Sequence, residues 1–232
     1  MSAGTIVLWR HGRTEYNITA RLQGQIDIPL DDVGRWQVAQ AAQDLARRFT
    51  PARLVSSDLG RALDTARPLG ELIGLDVETD PRLRERAFGE WEGLDVAEIA
   101  ERWPEEFAVW QAGRDPQRGG AESRSAVAAR VAEVITELAS PMASDATLVV
   151  VSHGAAISLG LTVLLGLDPA AWRGLVGPHN AHWSVLRASS GHSAPPWRLE
   201  AHNVGPGVLV ADWNEGVDSE SLPSSTADAL RP

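Results

Sequence analysis

The chain contains no cysteine, and its 21 basic residues are all arginine. Without a thiol there is no disulfide framework, no thiolate nucleophile and no cysteine-ligated zinc or iron–sulfur site. Without lysine there is no Schiff-base chemistry and no Walker-type phosphate lysine. Long apolar runs are also missing. None approaches the roughly 20 residues that cross a bilayer, and the longest candidate, 155–167, reads as a buried helix. No signal peptide precedes the first strand, so a cytoplasmic location is expected. The net charge of −10 excludes nucleic acid and anionic membrane as natural partners. Part of that charge is local, because 212–232 holds five acids (Asp212, Glu215, Asp218, Glu220, Asp228) against Arg231. The remaining body can still attract a small anion wherever a pocket is locally cationic.

What is present is an alternation of short apolar strands and amphipathic helices. With 232 residues, 44% of them hydrophobic, the chain can bury one large core. Strands are predicted at 5–9, 53–57 and, more weakly, 76–79. Another is predicted at 147–152, whose unbroken β-branched run belongs in the middle of a parallel sheet. Late strands at 180–188 and 197–204 read as antiparallel edges. One helix is capped by Asp31 or Asp32 and carries Val38, Ala41, Ala42, Leu45 and Phe49 at helical spacing. A second, 59–73, takes Asp58 as its cap and stops at Gly74. A third runs from about 121–125 to Ala139. The expected architecture is a three-layer α/β/α sandwich, with a mostly parallel central sheet and helices on both faces. Residues 1–211 form the domain, 86–122 interrupt its rhythm as an inserted cap with short helices at 96–104 and 107–112, and 212–232 form a mobile acidic tail.

In open α/β sheets the ligand crevice lies beyond the carboxyl ends of the strands. Arg10 and His11, Arg61, Glu85 and His153 all fall at such ends or just after them. Two imidazoles, two guanidinium groups and one carboxylate, with no dense carboxylate cluster, suit an oxygen-rich dianion better than a divalent metal. Phosphate fits best, because arginine offers planar paired donors and the helices that follow the strands add backbone N–H groups.

The residues fall into four ordered blocks. These are Arg10-His11-Gly12-Arg13-Thr14, with Asn17, Gln23-Gly24, Asp27-Ile28-Pro29-Leu30 and Gly34; Ser56-Ser57-Asp58-Leu59-Gly60-Arg61; Leu83-Arg84-Glu85, with Gly89-Glu90-Trp91-Glu92-Gly93; and Ser152-His153-Gly154. Together they resemble the signature of the histidine phosphatase superfamily, the phosphoglycerate mutase-like enzymes, over about 4–205. The resemblance implies that His11 is a nucleophile forming a phosphohistidine, its pKa depressed by nearby arginines. It implies that Glu85 is the general acid and then the general base, with Glu90 and Glu92 as competitors. Arg10, Arg61 and His153, with Asn17, would hold the phosphoryl oxygens, and Gln23 would add a donor. It further implies chemistry without metal or other cofactor, a small phosphorylated metabolite as partner, and a homodimer. The loop after His11 resembles the phosphatase branch, so hydrolysis is expected. The alternatives are a phosphoglycerate mutase, a broad-specificity acid phosphatase, or a non-catalytic protein that binds phosphorylated ligands. His179, His182, His192 and His202 receive no role.

Overall fold

Two apolar runs, Ile6-Val7-Leu8-Trp9 and Leu148-Val149-Val150-Val151, form the two middle strands of a six-stranded sheet. The computed structural model describes residues 2–191, 193–208 and 210–215. Four strands are parallel: β1 (Thr5–Arg10), β2 (Pro51–Ser56), β3 (Val77–Thr79) and β4 (Thr147–Ser152). β5 (Trp183–Ala188) pairs antiparallel with β1, and β6 (Trp197–Val204) antiparallel with β5. The order across the sheet is β3-β2-β4-β1-β5-β6.

Side chains alternate between the two faces of a strand, and here both faces are covered. Ile6, Leu8, Leu148 and Val150 pack on one face against α6 (Arg124–Ala139) and α7 (Gly154–Leu164), through Val131, Ile135, Ile157 and Leu161. Val7, Trp9, Val149 and Val151 pack on the other, against α2 (Asp32–Arg48) and α3 (Gly60–Ile73), through Val38, Leu45, Ala66 and Leu69. The result is the expected three-layer sandwich. The crevice follows from it. α2 leaves the end of β1 for one face and α7 leaves the end of the neighbouring β4 for the other, so a gap opens between the two carboxyl ends.

The remaining helices are short: α1 (Glu15–Ile18), α4 (Val96–Arg102), α5 (Pro104–Gln111) and α8 (Val210–Glu215). α4 and α5 lie inside 86–122. There Trp91 is fully buried and packs on Trp103 and Trp110, with ring centroids 6.5 and 5.9 Å away. An isolated antiparallel bridge between Phe88 and Ala121 ties the two ends of the segment together.

Three local expectations need correction. Asp58 does not cap α3, because Arg84 takes both of its carboxylate oxygens (2.7 and 2.5 Å) and Leu59 stands at the cap instead. The late strands are not both edges: β5 lies between β1 and β6, and 180–182 form a loop before it. Nor does order end at 211. Residues 212–215 belong to α8, while 216–232, where the rest of the expected mobile tail falls, lie outside the described residues. The reason is Trp213. A Trp side chain buries 150–250 Å², and this one is wholly buried between Trp36 and His182, with centroids 5.2 and 5.3 Å away. Trp213→Ala is expected to lower the unfolding free energy by about 3–5 kcal/mol. Urea denaturation of both proteins measures this, and a loss under about 1 kcal/mol would show that α8 docks without its anchor.

Candidate active site

His11 begins where β1 stops. Its backbone N–H donates to Ser152 O (3.0 Å) and its carbonyl accepts from Ala181 N (3.0 Å), so the end of β4 and the loop before β5 hold the residue. Its ring Nδ1 lies 2.7 Å from Gly12 O. A carbonyl only accepts, so Nδ1 carries the proton and Nε2 keeps its lone pair. The chain can turn here because of two glycines. A Cβ on Gly12 would stand 2.6 Å from Gly34 O, and one on Gly34 would stand 2.0 Å from Arg13 O. The His11 loop therefore lies directly on the first turn of α2.

Burial holds the His11 imidazole well below the usual histidine range, and the charges of Arg61 and then Arg10 push it the same way. Burial, rather than the arginines expected from the sequence, is the larger cause. A lowered pKa means that the neutral, nucleophilic form persists as pH falls. The kcat/KM profile for an aryl phosphate is therefore expected to show no loss centred on pH 6.5. A limb there that persists in a His182 variant would contradict the assignment.

The cations sit around this ring. Arg10 donates through Nη1 to Pro178 O (2.7 Å), while its buried Nε has no protein partner among the described residues. Arg61, fully buried, uses Nη1 on Ile26 O (2.7 Å), Nη2 on Gly24 O (2.7 Å) and Nε on His153 Nδ1 (3.3 Å). Burial lowers its pKa to about 10, so it remains charged at neutral pH. Asn17 Oδ1 accepts from Thr14 N (3.0 Å), Thr14 Oγ1 (3.1 Å) and Asn180 Nδ2 (3.1 Å). Its oxygen is thus fully engaged, and the amide NH₂ is left as the group to donate to a ligand.

Glu85 lies across the crevice at the start of α7. Oε1 accepts from Arg86 N (2.8 Å) and Ala156 N (2.9 Å), and Oε2 from Ala155 N (3.1 Å). Its backbone carbonyl is held by Arg130 Nη2 (3.0 Å), and Glu122 grips Arg130 in turn at 2.8 Å. Of the three candidate carboxylates only Glu85 lines the crevice. Glu92 is taken up by Phe88 N (2.9 Å) and Gln25 N (3.2 Å).

Arg10, His11, Asn17, Gln23, Arg61 and Glu85 line one cleft of about 440 Å³, with Phe88 from the 86–122 segment and Ser158 from α7 in its wall. His153 is not in that lining. It lies fully buried with its ring centroid 5.1 Å from His11, accepting from Arg61 at Nδ1 and therefore donating from Nε2 to Ser57 Oγ (2.9 Å). Burial and then Arg61 hold it well below the usual histidine range, which keeps it a neutral acceptor behind the guanidinium. Among the described residues no three His, Asp or Glu side chains lie together as metal ligands.

Two residues escaped the sequence reading. Thr65, one turn after Arg61 on α3, accepts from Gly12 N (3.0 Å) and donates to Arg61 O (2.7 Å); its i,i+4 spacing from an arginine at a strand end is a usable signal. Asn180 gives no such signal. Its Nδ2 reaches His11 O (3.2 Å), Gly12 O (3.3 Å) and Asn17 Oδ1 (3.1 Å), while its carbonyl accepts from Trp213 Nε1 (2.8 Å). It joins the His11 loop to α8. Asn180→Asp keeps the shape but removes the donor, and is expected to lower kcat about 10- to 100-fold through misplacement of His11. An unaltered kcat in a normally folded variant would overturn this positioning role.

Comparison with known proteins agrees with the arrangement. The family model described as histidine phosphatase superfamily (branch 1) matches residues 6–204. A glucosyl-3-phosphoglycerate phosphatase from Mycobacterium tuberculosis is 41% identical over 217 residues, which is 88% of this chain and 96% of the relative. Another from Mycolicibacterium vanbaalenii is 39% identical over 219 residues, covering 88% and 96%. A solved structure of the mycobacterial glucosyl-3-phosphoglycerate phosphatase with VO3 superposes at a TM-score of 0.78, with 42% identity over 87% of this chain and 99% of that one. With the strand-end histidine, its arginines and its facing carboxylate in one cleft, this chain belongs to the histidine phosphatase superfamily.

Proposed function

We propose that the chain hydrolyses glucosyl-3-phosphoglycerate through a phosphohistidine on His11, with Glu85 as the proton carrier. The observation that carries the mechanism is the His11 tautomer. With Nδ1–H bound to Gly12 O, Nε2 keeps a lone pair, in a cleft that Arg10 and Arg61 also line. In the first step Nε2 attacks phosphorus, the P–O bond to the sugar-acid alcohol breaks, and a protonated Glu85 gives its proton to the leaving alkoxide. In the second, water attacks the phosphohistidine, Glu85 takes the water's proton, and the P–N bond breaks to release phosphate and restore His11. Arg10, Arg61 and the Asn17 amide stabilise the charge on the phosphoryl oxygens in both steps, and Gln23 supplies a further polar contact. His153 acts as a positioning residue by holding Arg61.

The substrate is argued from the two relatives of that name and from shared local blocks. Gly89-Glu90-Trp91-Glu92-Gly93-Leu94 after the catalytic glutamate, and Gly119-Gly120-Ala121-Glu122-Ser123, are the stretches that resemble the actinobacterial enzyme. The 86–122 segment acts as the cap that selects the alcohol. The enzyme works as a homodimer in the cytoplasm; among the described residues no helix is long and apolar enough to cross a membrane.

The test is phosphate release in EDTA from glucosyl-3-phosphoglycerate, 3-phosphoglycerate, several sugar phosphates and an aryl phosphate. The expected result is release from glucosyl-3-phosphoglycerate well above the rest. Conversion of 3-phosphoglycerate to its isomer without net phosphate release would favour a mutase instead. Binding without any turnover would favour a phospho-ligand binding protein.

A further inference from the structure

α7 carries two successive pockets along one side. The catalytic cleft touches Gly154, Ala155 and Ser158, and a second pocket of about 130 Å³ touches Ser158, Leu159 and Thr162. These contacts are one turn apart, about 5.4 Å along the helix, and Ser158 belongs to both walls. The other walls of the second pocket include Arg124, the first residue of α6, and Trp172 and Arg173 from the loop after α7.

The charge of this pocket is uncompensated. Neighbouring Arg86 and Arg130 are each paired, with Asp115 (2.8 Å) and Glu122 (2.8 Å). Arg21, at the rim of the catalytic cleft, is paired with Glu98 (2.7 Å). Among the described residues, no carboxylate bridges to Arg124 or Arg173. Asp115 is the nearest acid whose field reaches Arg124, but Arg86 holds its Oδ1 and the Arg124 backbone N–H holds its Oδ2 (2.7 Å). Arg124 uses only Nε on protein, donating to Pro169 O (3.2 Å). Arg173 is exposed, and its guanidinium lies against Gly113, where a Cβ would stand 2.6 Å from the guanidinium carbon. Burial is the main cause that lowers the Arg124 pKa; the charges of Arg173 and then Arg86 add to it, and Asp115 opposes them. Two guanidinium groups held at one pocket without an acid are an anion site built from paired planar donors.

We propose that this pocket takes a carboxylate carried by the alcohol half of the phosphate ester, so that the enzyme selects phosphorylated hydroxy acids over phosphorylated neutral alcohols. The proposal rests on the phosphomonoesterase reading of the catalytic cleft and names what that cleft accepts. The two pockets meet at Ser158, so a short substrate phosphorylated at one end and carboxylated at the other can reach both. Ser158, between the two pockets, lies beside the middle of such a substrate.

The experiment compares glucosyl-3-phosphoglycerate with glucosylglycerol 3-phosphate, the same ester with its carboxylate reduced to a hydroxymethyl group. Wild-type protein and the Arg173→Gln and Arg124→Gln variants are assayed for phosphate release. The wild type is expected to favour the carboxylated ester by about 10-fold or more in kcat/KM, through KM, as for a charge-assisted pair. Each variant is expected to shrink that ratio toward one, and Arg173→Gln, on an exposed loop, does so without disturbing α6. A wild type that does not discriminate, or a ratio that neither variant moves, would overturn the carboxylate pocket while leaving the phosphatase reading intact. Absence of phosphate release from every ester would instead overturn the phosphatase reading on which the proposal rests.

Discussion

His11→Ala is expected to lower kcat on the order of 10⁴-fold or more, because removal of a covalent nucleophile removes the two-step route altogether. No second nucleophile replaces it. The chain has no cysteine, and the Ser158 hydroxyl in the cleft wall is bonded to Gly154 O without a base beside it. The variant is expected to keep its affinity for phosphate within a few-fold, because Arg10, Arg61 and Asn17 remain. Isothermal titration with inorganic phosphate separates the two effects. After brief mixing with an aryl phosphate and quenching, wild-type protein should carry acid-labile, base-stable phosphate, and the variant none. Turnover within about 10-fold of wild type would rule out the covalent route.

Glu85→Gln is the second large effect, expected at about 10²- to 10⁴-fold in kcat for an alkyl ester. The amide has the size of the carboxylate but carries no transferable proton. Its oxygen can still accept from Arg86 N and Ala156 N, but its NH₂ then faces the Ala155 N–H, which loses its acceptor. The two contributions are separable by leaving group. An aryl ester leaves with little help, so its loss in the phosphorylation step should be far smaller than that of glucosyl-3-phosphoglycerate. The dephosphorylation step still needs a base, and phosphoprotein should therefore accumulate from the aryl ester. Equal losses on both esters, without accumulated phosphoprotein, would assign Glu85 a purely structural role.

The sandwich was legible because its central strands need no partner to be recognised. Runs such as Leu148-Val149-Val150-Val151 have no polar face, so a sheet covered on both sides was the one environment available to them. The late strands were harder. Whether β5 is an edge depends on what pairs with it, and no local pattern encodes a neighbour 180 residues away in the chain. The tail misled for a different reason. Averaged over 212–232 its composition is acidic and polar, yet a single Trp213 supplies enough apolar area to dock α8, and averages hide single anchors.

By itself the sequence determined the layer architecture and the set of side chains at the strand ends, because strand periodicity and the break at each His-Gly or Ser-Asp are local properties of the chain. Tertiary structure decided which of those groups face a ligand. His11 and His153 follow apolar strands in the same way, yet one lines the cleft and the other turns both ring nitrogens to Arg61 and Ser57. Three glutamates lie within eight residues of one another, and only Glu85 meets the start of α7. Asn180 reaches the His11 loop from the far end of the chain, and Trp213 reaches Asn180. The physical reason is common to all of them. A hydrogen bond or a desolvated charge depends on distances of a few ångströms between atoms, and those distances are set only when strands remote in sequence are brought side by side in the sheet.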